Sequence, residues 1–175
     1  MKIAIIGFSG CGKSTLAAKL ARHYGCEALF LDTVHWLPGW KERPRNEELS
    51  IVGDFLDSHD SWVIDGTYSK LHYDRRMEEA DKIIFMCFNR FTCFFRAVKR
   101  YRKYKGKSRE SMTVGCPERI NFEFAKWLLI DGRTKKRVQK FYDAVEKYPE
   151  KSVIIKNQKQ LDAFENELIQ TERTI

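Results

Sequence analysis

Five short apolar runs, most of them rich in β-branched residues, recur along the chain. They are KIAII at residues 2–6, EALFL at 27–31, WVI at 62–64, KIIFMCF at 82–88 and SVIIK at 152–156. Continuous apolar runs of this length are typical of strands that are buried on both faces. Because helical patterns separate them, the runs predict right-handed βαβ units in a parallel sheet, which is an α/β fold with three layers.

Amphipathic periodicity between the runs predicts the first helices. One helix begins at Lys13 and is followed by Gly25 as a C-cap, and another covers residues 46–58. The segment LPGWKERPR before the second helix contains two prolines and is expected to be irregular. The residues predicted to face inward are Leu16, Ala17, Leu20 and Ala21 in the first helix and Leu49, Val52 and Leu56 in the second.

The connection between the fourth and fifth runs is far longer than a crossover requires. It covers residues 89–151, whereas a crossover needs about a dozen residues or more. We predict a helix from Arg90, an exposed middle rich in glycine and lysine, and further helical stretches, which together resemble a lid on a core. We therefore expect one domain, residues 1–175, with a lid insert around residues 101–132. The residues predicted to face inward are Phe91, Phe94, Phe95 and Val98, then Phe124, Trp127 and Leu128, then Val138, Phe141, Tyr142 and Val145.

The positive charge of the chain is concentrated in this connection. The net charge is +8, and residues 90–109 hold nine Lys and Arg without an acid. Residues 133–140 add five bases without an acid, so the rest of the chain is net acidic. Such a local field indicates an anionic partner, either the phosphates of a small molecule or a nucleic-acid backbone.

Two classes of protein are disfavoured by composition. The five cysteines are scattered without a CxxC pair, which favours reduced thiols over a disulfide framework or a zinc site. No apolar run approaches the roughly 20 residues that span a bilayer, and the opening run is too short for a signal peptide. We expect a cytoplasmic protein that does not enter the membrane.

The segment GFSGCGKS at residues 7–14 matches the phosphate-loop pattern G-x-x-x-x-G-K-[ST] completely. Its glycines let successive backbone N–H groups point at the β- and γ-phosphates of a nucleotide, and the helix that follows directs its positive end at them. Lys13 can reach the same oxygens and Ser14 can bind Mg²⁺, so ATP and Mg²⁺ are the expected cofactors. The candidate nucleotide-binding residues are Gly7, Ser9, Gly10, Cys11, Gly12, Lys13, Ser14 and Thr15.

Two aspartates end apolar runs, where open parallel sheets bind their ligands. If the third strand lies beside the first, Asp65 would hold Mg²⁺ through water, while Asp32 would face an acceptor group and orient or deprotonate its hydroxyl. The simpler alternative is that each aspartate only caps a helix or forms a turn.

Four arginines flank the insert and could meet over the donor phosphates. Arg96 and Arg100 share one helical face, and Arg133 and Arg137 share another. Arginine binds phosphate through a planar fork, whereas the lysines between residues 99 and 107 are better explained as a solvated face.

The acceptor side is expected to lie after the second and third strands. Aromatic residues there could stack on a planar or sugar-like group or could pack under a loop, and nearby arginines could hold an anionic acceptor. The aromatic residues are Trp36, Trp40 and Tyr68, and the arginines are Arg43, Arg45, Arg75 and Arg76.

With the phosphate loop, the IDG turn at residues 64–66 and the arginine-flanked insert, the chain resembles the adenylate kinase-like group of small P-loop kinases. The blocks LDTVHWLPGW, SWVIDGTYSK, VGCPE and LLIDGRTKKR are similar to bacterial proteins named DNA topology modulation proteins. The resemblance implies a five-stranded sheet of order 2-3-1-4-5, a lid, and ATP with Mg²⁺. It also implies lid or lid-flanking positions for Arg96, Arg100 and Arg137, and an adenine border near Asn157 and Gln158.

One departure from the kinase pattern concerns the acceptor. Where adenylate kinases carry D-G-F-P-R, this chain has DGTYS at residues 65–69. The arginine that would hold a nucleoside monophosphate is absent there, which leaves hydroxyl acceptors open.

Three functions are therefore weighed. The favoured one is ATP-dependent phosphoryl transfer to an unidentified small molecule. The second is a DNA-binding regulator with a nucleotide switch, and the third is an NTPase without a second substrate. No helix-turn-helix or zinc-finger motif is visible in the sequence, and bare positive charge binds DNA nonspecifically.

Overall fold

A computed structural model describes residues 1–172, with side chains described through residue 168. A five-stranded parallel sheet forms its centre, and a two-stranded antiparallel hairpin lies apart from it. In chain order the elements are β1 Lys2–Gly7, α1 Lys13–Tyr24, β2 Glu27–Phe30, α2 Leu31–His35, β3 Trp36–Leu37, β4 Lys41–Glu42, α3 Arg45–Ser58, β5 Trp62–Asp65, α4 Tyr73–Glu79, β6 Lys82–Met86, α5 Arg90–Tyr104, α6 Phe122–Leu129, α7 Lys135–Lys147, β7 Ser152–Ile155 and α8 Gln158–Glu172, with single 3₁₀ turns at Asp131–Arg133 and Pro149–Lys151.

The strand order of the large sheet is β2-β5-β1-β6-β7, and all neighbours are parallel. Counting only these five strands along the chain, the order is 2-3-1-4-5, so the predicted α/β fold and order are confirmed. In the register, Asp65 pairs with Ile5 on one side and with Phe30 on the other. The carboxyl ends of β1, β2 and β5 therefore lie side by side, which brings the loops after them together.

The first helix buries the predicted face. Leu16, Ala17, Leu20 and Ala21 of α1 are buried, and the helix ends at Gly25, whose φ of 61° is the left-handed C-cap conformation. In α3, Val52 and Leu56 are buried as predicted, while Leu49 is only half-buried and Phe55 joins the core instead.

The inward face predicted for α5 is wrong. Phe91 and Phe95 are 60% and 68% exposed, whereas Cys93 and Ala97 are buried. The helix packs its small residues closely against the phosphate loop. A Cβ built on Gly10 would lie only 2.6 Å from the Cys93 carbonyl oxygen. A close approach of two backbones leaves no room for phenylalanine on that face.

The segment predicted to be irregular, residues 37–45, contains most of the β3–β4 hairpin, and the short helix α2 directly precedes that hairpin. The hairpin turn places Gly39 at φ 78° and Trp40 at φ 63°. The left-handed region costs a residue with a side chain about 1–2 kcal/mol, so a tryptophan there is unusual. The sequence also did not indicate α4 and α8.

The middle of the insert is not exposed throughout, contrary to prediction. Residues 108–120, here called the strap, cross to the hairpin and bury Ser111, Met112 and Cys116. The strap is fixed by long-range bonds to the hairpin backbone. The bonds run from Thr113 Oγ1 to the Trp36 carbonyl at 2.5 Å, from Gly39 N to the Gly115 carbonyl at 3.0 Å, and from Cys116 Sγ to the Leu37 carbonyl at 3.2 Å.

Two further observations concern the expected class of protein. All five cysteines are free thiols, three of them buried. Among residues 1–172, no helix combines the length and apolar character that crossing a membrane requires.

Candidate active site

A cleft of about 1760 Å³ opens at the carboxyl edge of the sheet. It is bordered by the phosphate loop at residues 7–14, by the residues after β2 and β5, by α5 and α7, and by the strap. Pockets for one small ligand measure about 300–1,000 Å³. The cleft therefore has room for two small molecules side by side.

The phosphate loop is held in shape by its neighbours. A Cβ on Gly7 would lie 2.1 Å from the Met86 carbonyl oxygen, so only glycine fits between β1 and β6 at φ 135°. The Lys13 ammonium and the Cys11 thiol both donate to the Phe8 carbonyl oxygen, at 2.9 and 2.7 Å. The loop wraps the N-terminus of α1, as an anion site requires.

Arg96 joins the loop from α5. Its Nη1 donates to the Cys11 carbonyl oxygen at 2.6 Å, and its Nη2 donates to the side chain of Gln158 at the start of α8. Arg96 also lies 4.4 Å from the centre of the Phe88 ring. Two of the predicted donor-side residues, Arg96 and Gln158, are thus in direct contact at the cleft wall.

Asp65 ends β5 at the floor of the cleft and is buried. Burial raises the pKa of its carboxyl, while nearby Lys13 and a hydrogen bond with Ser14 oppose that rise. Within the described residues, its Oδ1 is buried without a hydrogen-bond partner. A buried carboxylate oxygen beside Lys13 and Ser14 fits a hydrated Mg²⁺ ion of a nucleotide, so the residues present suit the predicted ion.

Asp32 lies in α2, directly after β2, and is fixed by Tyr68. The Tyr68 hydroxyl donates to Asp32 Oδ1 at 2.8 Å. Burial and then the neighbouring Asp32 raise the pKa of Tyr68, so its proton stays on the hydroxyl and the bond is maintained. The loop that carries Tyr68 is tied down by Arg76, which is fully buried and whose pKa burial lowers to about 10. Arg76 donates to the carbonyl oxygens of Gly66, Thr67, Tyr68 and Leu71.

The four predicted arginines do not all meet in the cleft. Arg96, Arg100 and Arg137 line it, and the Arg137 guanidinium lies 4.5 Å from the Trp127 ring centre at the rim. Arg133 lies outside the cleft, with its guanidinium 3.9 Å from the Phe8 ring centre. It donates to the carbonyl oxygens of Leu128 and Phe88 at 3.1 and 2.9 Å. Through these bonds and its contact with Phe8, Arg133 stabilises the phosphate loop from outside the cleft.

A cluster of Arg100, Arg109 and Glu118 was not foreseen. Glu118 is buried and its two oxygens lie 2.6 Å from Arg100 Nη2 and 2.9 Å from Arg109 Nε. Burial, and then repulsion from Arg100, lower the pKa of Arg109, while Glu118, Asp32 and Asp65 partly offset this. The only sequence signal was a lone acid in VGCPE that follows a long basic run.

The remaining candidates are divided between the cleft and its surroundings. Ser9, Gly10, Gly12, Ser14 and Thr15 line the cleft, whereas Cys11 is buried beneath it. Burial raises the pKa of the Cys11 thiol, so it is a packed side chain and a poor nucleophile. Asn157 caps α8 through its side chain, which accepts from Gln160 N at 3.0 Å, and it does not line the cleft.

No protein-family model and no curated protein matches the chain. Solved structures do match over nearly its whole length. Deoxyadenosine kinase from M. mycoides with bound dATP has a TM-score of 0.52 at 17% identity, covering 96% of this chain and 99% of its own. The same enzyme with the products dCMP and a flexible dCDP has a TM-score of 0.51 at 16% identity, covering 98% and 100%. An uncharacterized protein from Eubacterium ventriosum has a TM-score of 0.53 at 14% identity, covering 100% and 99%. At such low identity the likeness shows the fold alone.

Proposed function

We propose that this chain, which has the fold of a P-loop kinase, is an ATP-dependent phosphotransferase that acts on a small-molecule acceptor. One observation carries the proposal. The phosphate loop and the Asp32–Tyr68 pair open into the same cleft, which is large enough for a donor and an acceptor together. Phosphoryl transfer depends mainly on placing the two reactants in line and stabilising charge between them.

On the donor side, backbone N–H groups of the phosphate loop and Lys13 would bind the β- and γ-phosphates of ATP. Arg96 and Arg137 would approach the same phosphates from α5 and α7, and Gln158 would border the adenine. Ser14 and Asp65 would hold Mg²⁺, which supplies charge neutralisation on the phosphate oxygens.

On the acceptor side, Asp32 would receive the proton of the acceptor hydroxyl. The new bond forms between that hydroxyl oxygen and the γ-phosphorus, and the bond between the γ-phosphorus and the β,γ-bridging oxygen breaks, so ADP leaves. Arg100 and Arg109, which pair with Glu118, would balance negative charge on the transferred group.

The proposal extends to the organisation of the chain. The chain would form one domain in which residues around 101–132 act as a lid, and the bonds between the strap and the hairpin support closure over the cleft. The five free thiols and the use of ATP support a cytoplasmic location.

An ATP-consumption screen over nucleosides, nucleoside monophosphates, sugars and small hydroxy acids tests the proposal. We expect one class to accelerate ATP turnover, and we expect Lys13→Ala to abolish that turnover while the exposed Lys159→Ala control keeps it. Undiminished turnover in Lys13→Ala would rule out the phosphate-loop mechanism. Turnover that no acceptor changes would indicate an NTPase without a second substrate.

The nucleic-acid alternative, which the resemblance to DNA topology modulation proteins suggests, has one observation in its favour. Five cations between residues 99 and 107 are exposed: Lys99, Arg102, Lys103, Lys105 and Lys107. If they bind DNA, affinity falls steeply with salt and survives Lys13→Ala without ATP. If the insert is a lid, truncating Arg96 or Arg137 depresses phosphoryl transfer and leaves any DNA retention unchanged.

A further inference from the structure

We infer that the acceptor is an uncharged molecule that carries a planar ring and a hydroxyl group, the chemical class of the nucleosides. Its ring would lie against Trp36 and Trp40, and its hydroxyl would meet Asp32. The inference rests on the proposed phosphotransferase function and specifies the acceptor for the same cleft.

The four arginines near the acceptor side are already bound by other groups of the protein: Arg43, Arg45, Arg75 and Arg76. Only Arg45 of the four lines the cleft, and its Nη1 lies 2.7 Å from the buried carboxylate of Glu48. The other three are turned away from the cleft and bound by the protein. Arg43 donates to the Val34 carbonyl at 2.7 Å, Arg75 pairs with Glu79 at 2.5 Å and Asp57 at 2.6 Å, and Arg76 is buried among backbone carbonyls. The sequence-based hypothesis that these arginines hold an anionic acceptor is therefore not supported.

The other charges that line the cleft near the hairpin and the strap do not form a site for an anion. Besides Arg45, the cations there include Arg100 and Arg109, which Glu118 pairs, Arg119, which lies 4.4 Å from the Trp40 ring centre, and the exposed Lys70. The acids Asp32, Glu42 and Glu110 also line the cleft. A phosphomonoester that bound here would be repelled by the Asp32 carboxylate, and no buried arginine is free to pair with its phosphate. This balance of charge disfavours an anionic acceptor.

Two tryptophans form an aromatic wall in the cleft. Trp36 and Trp40 both line the cleft and are half-buried, with ring centres 5.5 Å apart. Trp40 keeps a left-handed backbone that glycine or asparagine would adopt more easily. Its indole Nε1 is buried without a hydrogen-bond partner within the described residues. An unfavourable backbone conformation that holds a large ring in a cleft is evidence that the ring contacts a ligand.

The Asp32–Tyr68 pair favours an acceptor that carries a neutral hydroxyl group. The Tyr68 proton is committed to Asp32 Oδ1, so Tyr68 cannot donate to a carboxylate or phosphate of an acceptor. Asp32, as a carboxylate, can only accept hydrogen bonds. A neutral hydroxyl that donates to Asp32 satisfies both groups.

The test compares matched ligands that differ by a single 5′-phosphate group. Calorimetric titrations in saturating Mg²⁺ and the non-hydrolysable analogue AMP-PNP use adenosine, guanosine, cytidine and thymidine, each against its own 5′-monophosphate. We expect at least one nucleoside to bind ten times or more tightly than its monophosphate. Tighter binding of the monophosphates, or no binding of any nucleoside, overturns the inference.

Substitutions of Trp40 test the aromatic wall. Trp40→Asn suits the left-handed backbone, so we expect an unchanged or higher unfolding temperature, unchanged AMP-PNP affinity and a nucleoside Kd at least ten times higher. Trp40→Phe keeps a ring and should stay within about threefold, as should the exposed hairpin control Lys41→Ala. A nucleoside Kd that Trp40→Asn leaves unchanged overturns the assignment of the ring.

The same titrations separate failure of this inference from failure of the proposed function. Wild-type protein that does not bind AMP-PNP contradicts the phosphotransferase proposal, and the inference falls with it. Wild-type protein that binds AMP-PNP but prefers monophosphates contradicts only the neutral acceptor.

Discussion

Replacing Glu118 by glutamine should both destabilise the protein and slow phosphoryl transfer. The Glu118 carboxylate accepts from Arg100 Nε at 2.8 Å and lies 2.9 Å from Arg109 Nε, so it is shared by two cations. Removing one partner of a buried ion pair costs about 3–5 kcal/mol. Because glutamine keeps one carbonyl acceptor and Arg100 is partly exposed, we take about 3 kcal/mol for this variant.

For a chain of this length, 1 kcal/mol shifts the unfolding temperature by about 2–4 °C, so Glu118→Gln should lower it by about 6–12 °C in thermal denaturation. The two guanidinium groups also lose their fixed position beside the transferred group, and kcat should fall by about 10- to 100-fold while the KM for ATP changes less. The exposed Glu146→Gln on α7 is the matched control. An unfolding temperature and a kcat equal to those of the control would refute the reasoning, and a lowered unfolding temperature with unchanged kcat would leave Glu118 a structural role only.

Three further substitutions test the floor and walls of the cleft. Burial raises the pKa of Asp65 above 3.8, so the folded state binds more protons than the unfolded state. The ligand-free protein should therefore lose stability as the pH rises from about 4, measured by urea unfolding. Asp65→Asn should lack that loss. Arg76→Met removes the bonds that hold the Tyr68 loop and should lower stability by about 3 kcal/mol, measured from the denaturant midpoint. Gly7→Ala places a Cβ 2.1 Å from a backbone oxygen and should prevent folding. The control Gly25→Ala has no atom within 4 Å of its Cβ and should lower stability by about 1 kcal/mol. Equal losses of stability in the two variants would contradict the predicted clash.

The sheet could be predicted because its strands are buried on both faces. A strand such as β6 has no exposed face, so its sequence is a continuous apolar run that little else imitates. The loop between β1 and α1 could be predicted because its backbone needs glycine at fixed positions, as the positive φ of Gly7, Gly10 and Gly12 shows. Asp32 and Asp65 followed from the rule that parallel strands end at one edge.

The packing of the insert could not be predicted from periodicity. The buried face of α5 is set by the phosphate-loop backbone, which accepts Cys93 and Ala97 and excludes Phe91. The strap is held by hydrogen bonds to carbonyl groups of the distant hairpin, and such bonds leave no pattern in the sequence. Arg133 shows the same limit, because its spacing from Arg137 indicated a shared face while its guanidinium instead contacts Phe8.

The fold divides the cations of the basic segment at residues 90–109 into an inner and an outer set. The inner set consists of arginines alone, because Arg96 binds the phosphate loop and Arg100 and Arg109 bind Glu118. The outer, exposed set holds all four lysines and the other two arginines: Arg90, Lys99, Arg102, Lys103, Lys105 and Lys107. A planar guanidinium can satisfy several oxygens at once in a partly buried site, whereas an ammonium group loses more hydration there. The segment therefore does not form one uniform patch for a nucleic-acid backbone. In the proposed reaction, its inner set would match the charge of the transferred phosphoryl group, and its outer set would raise the local concentration of the anionic donor without touching it.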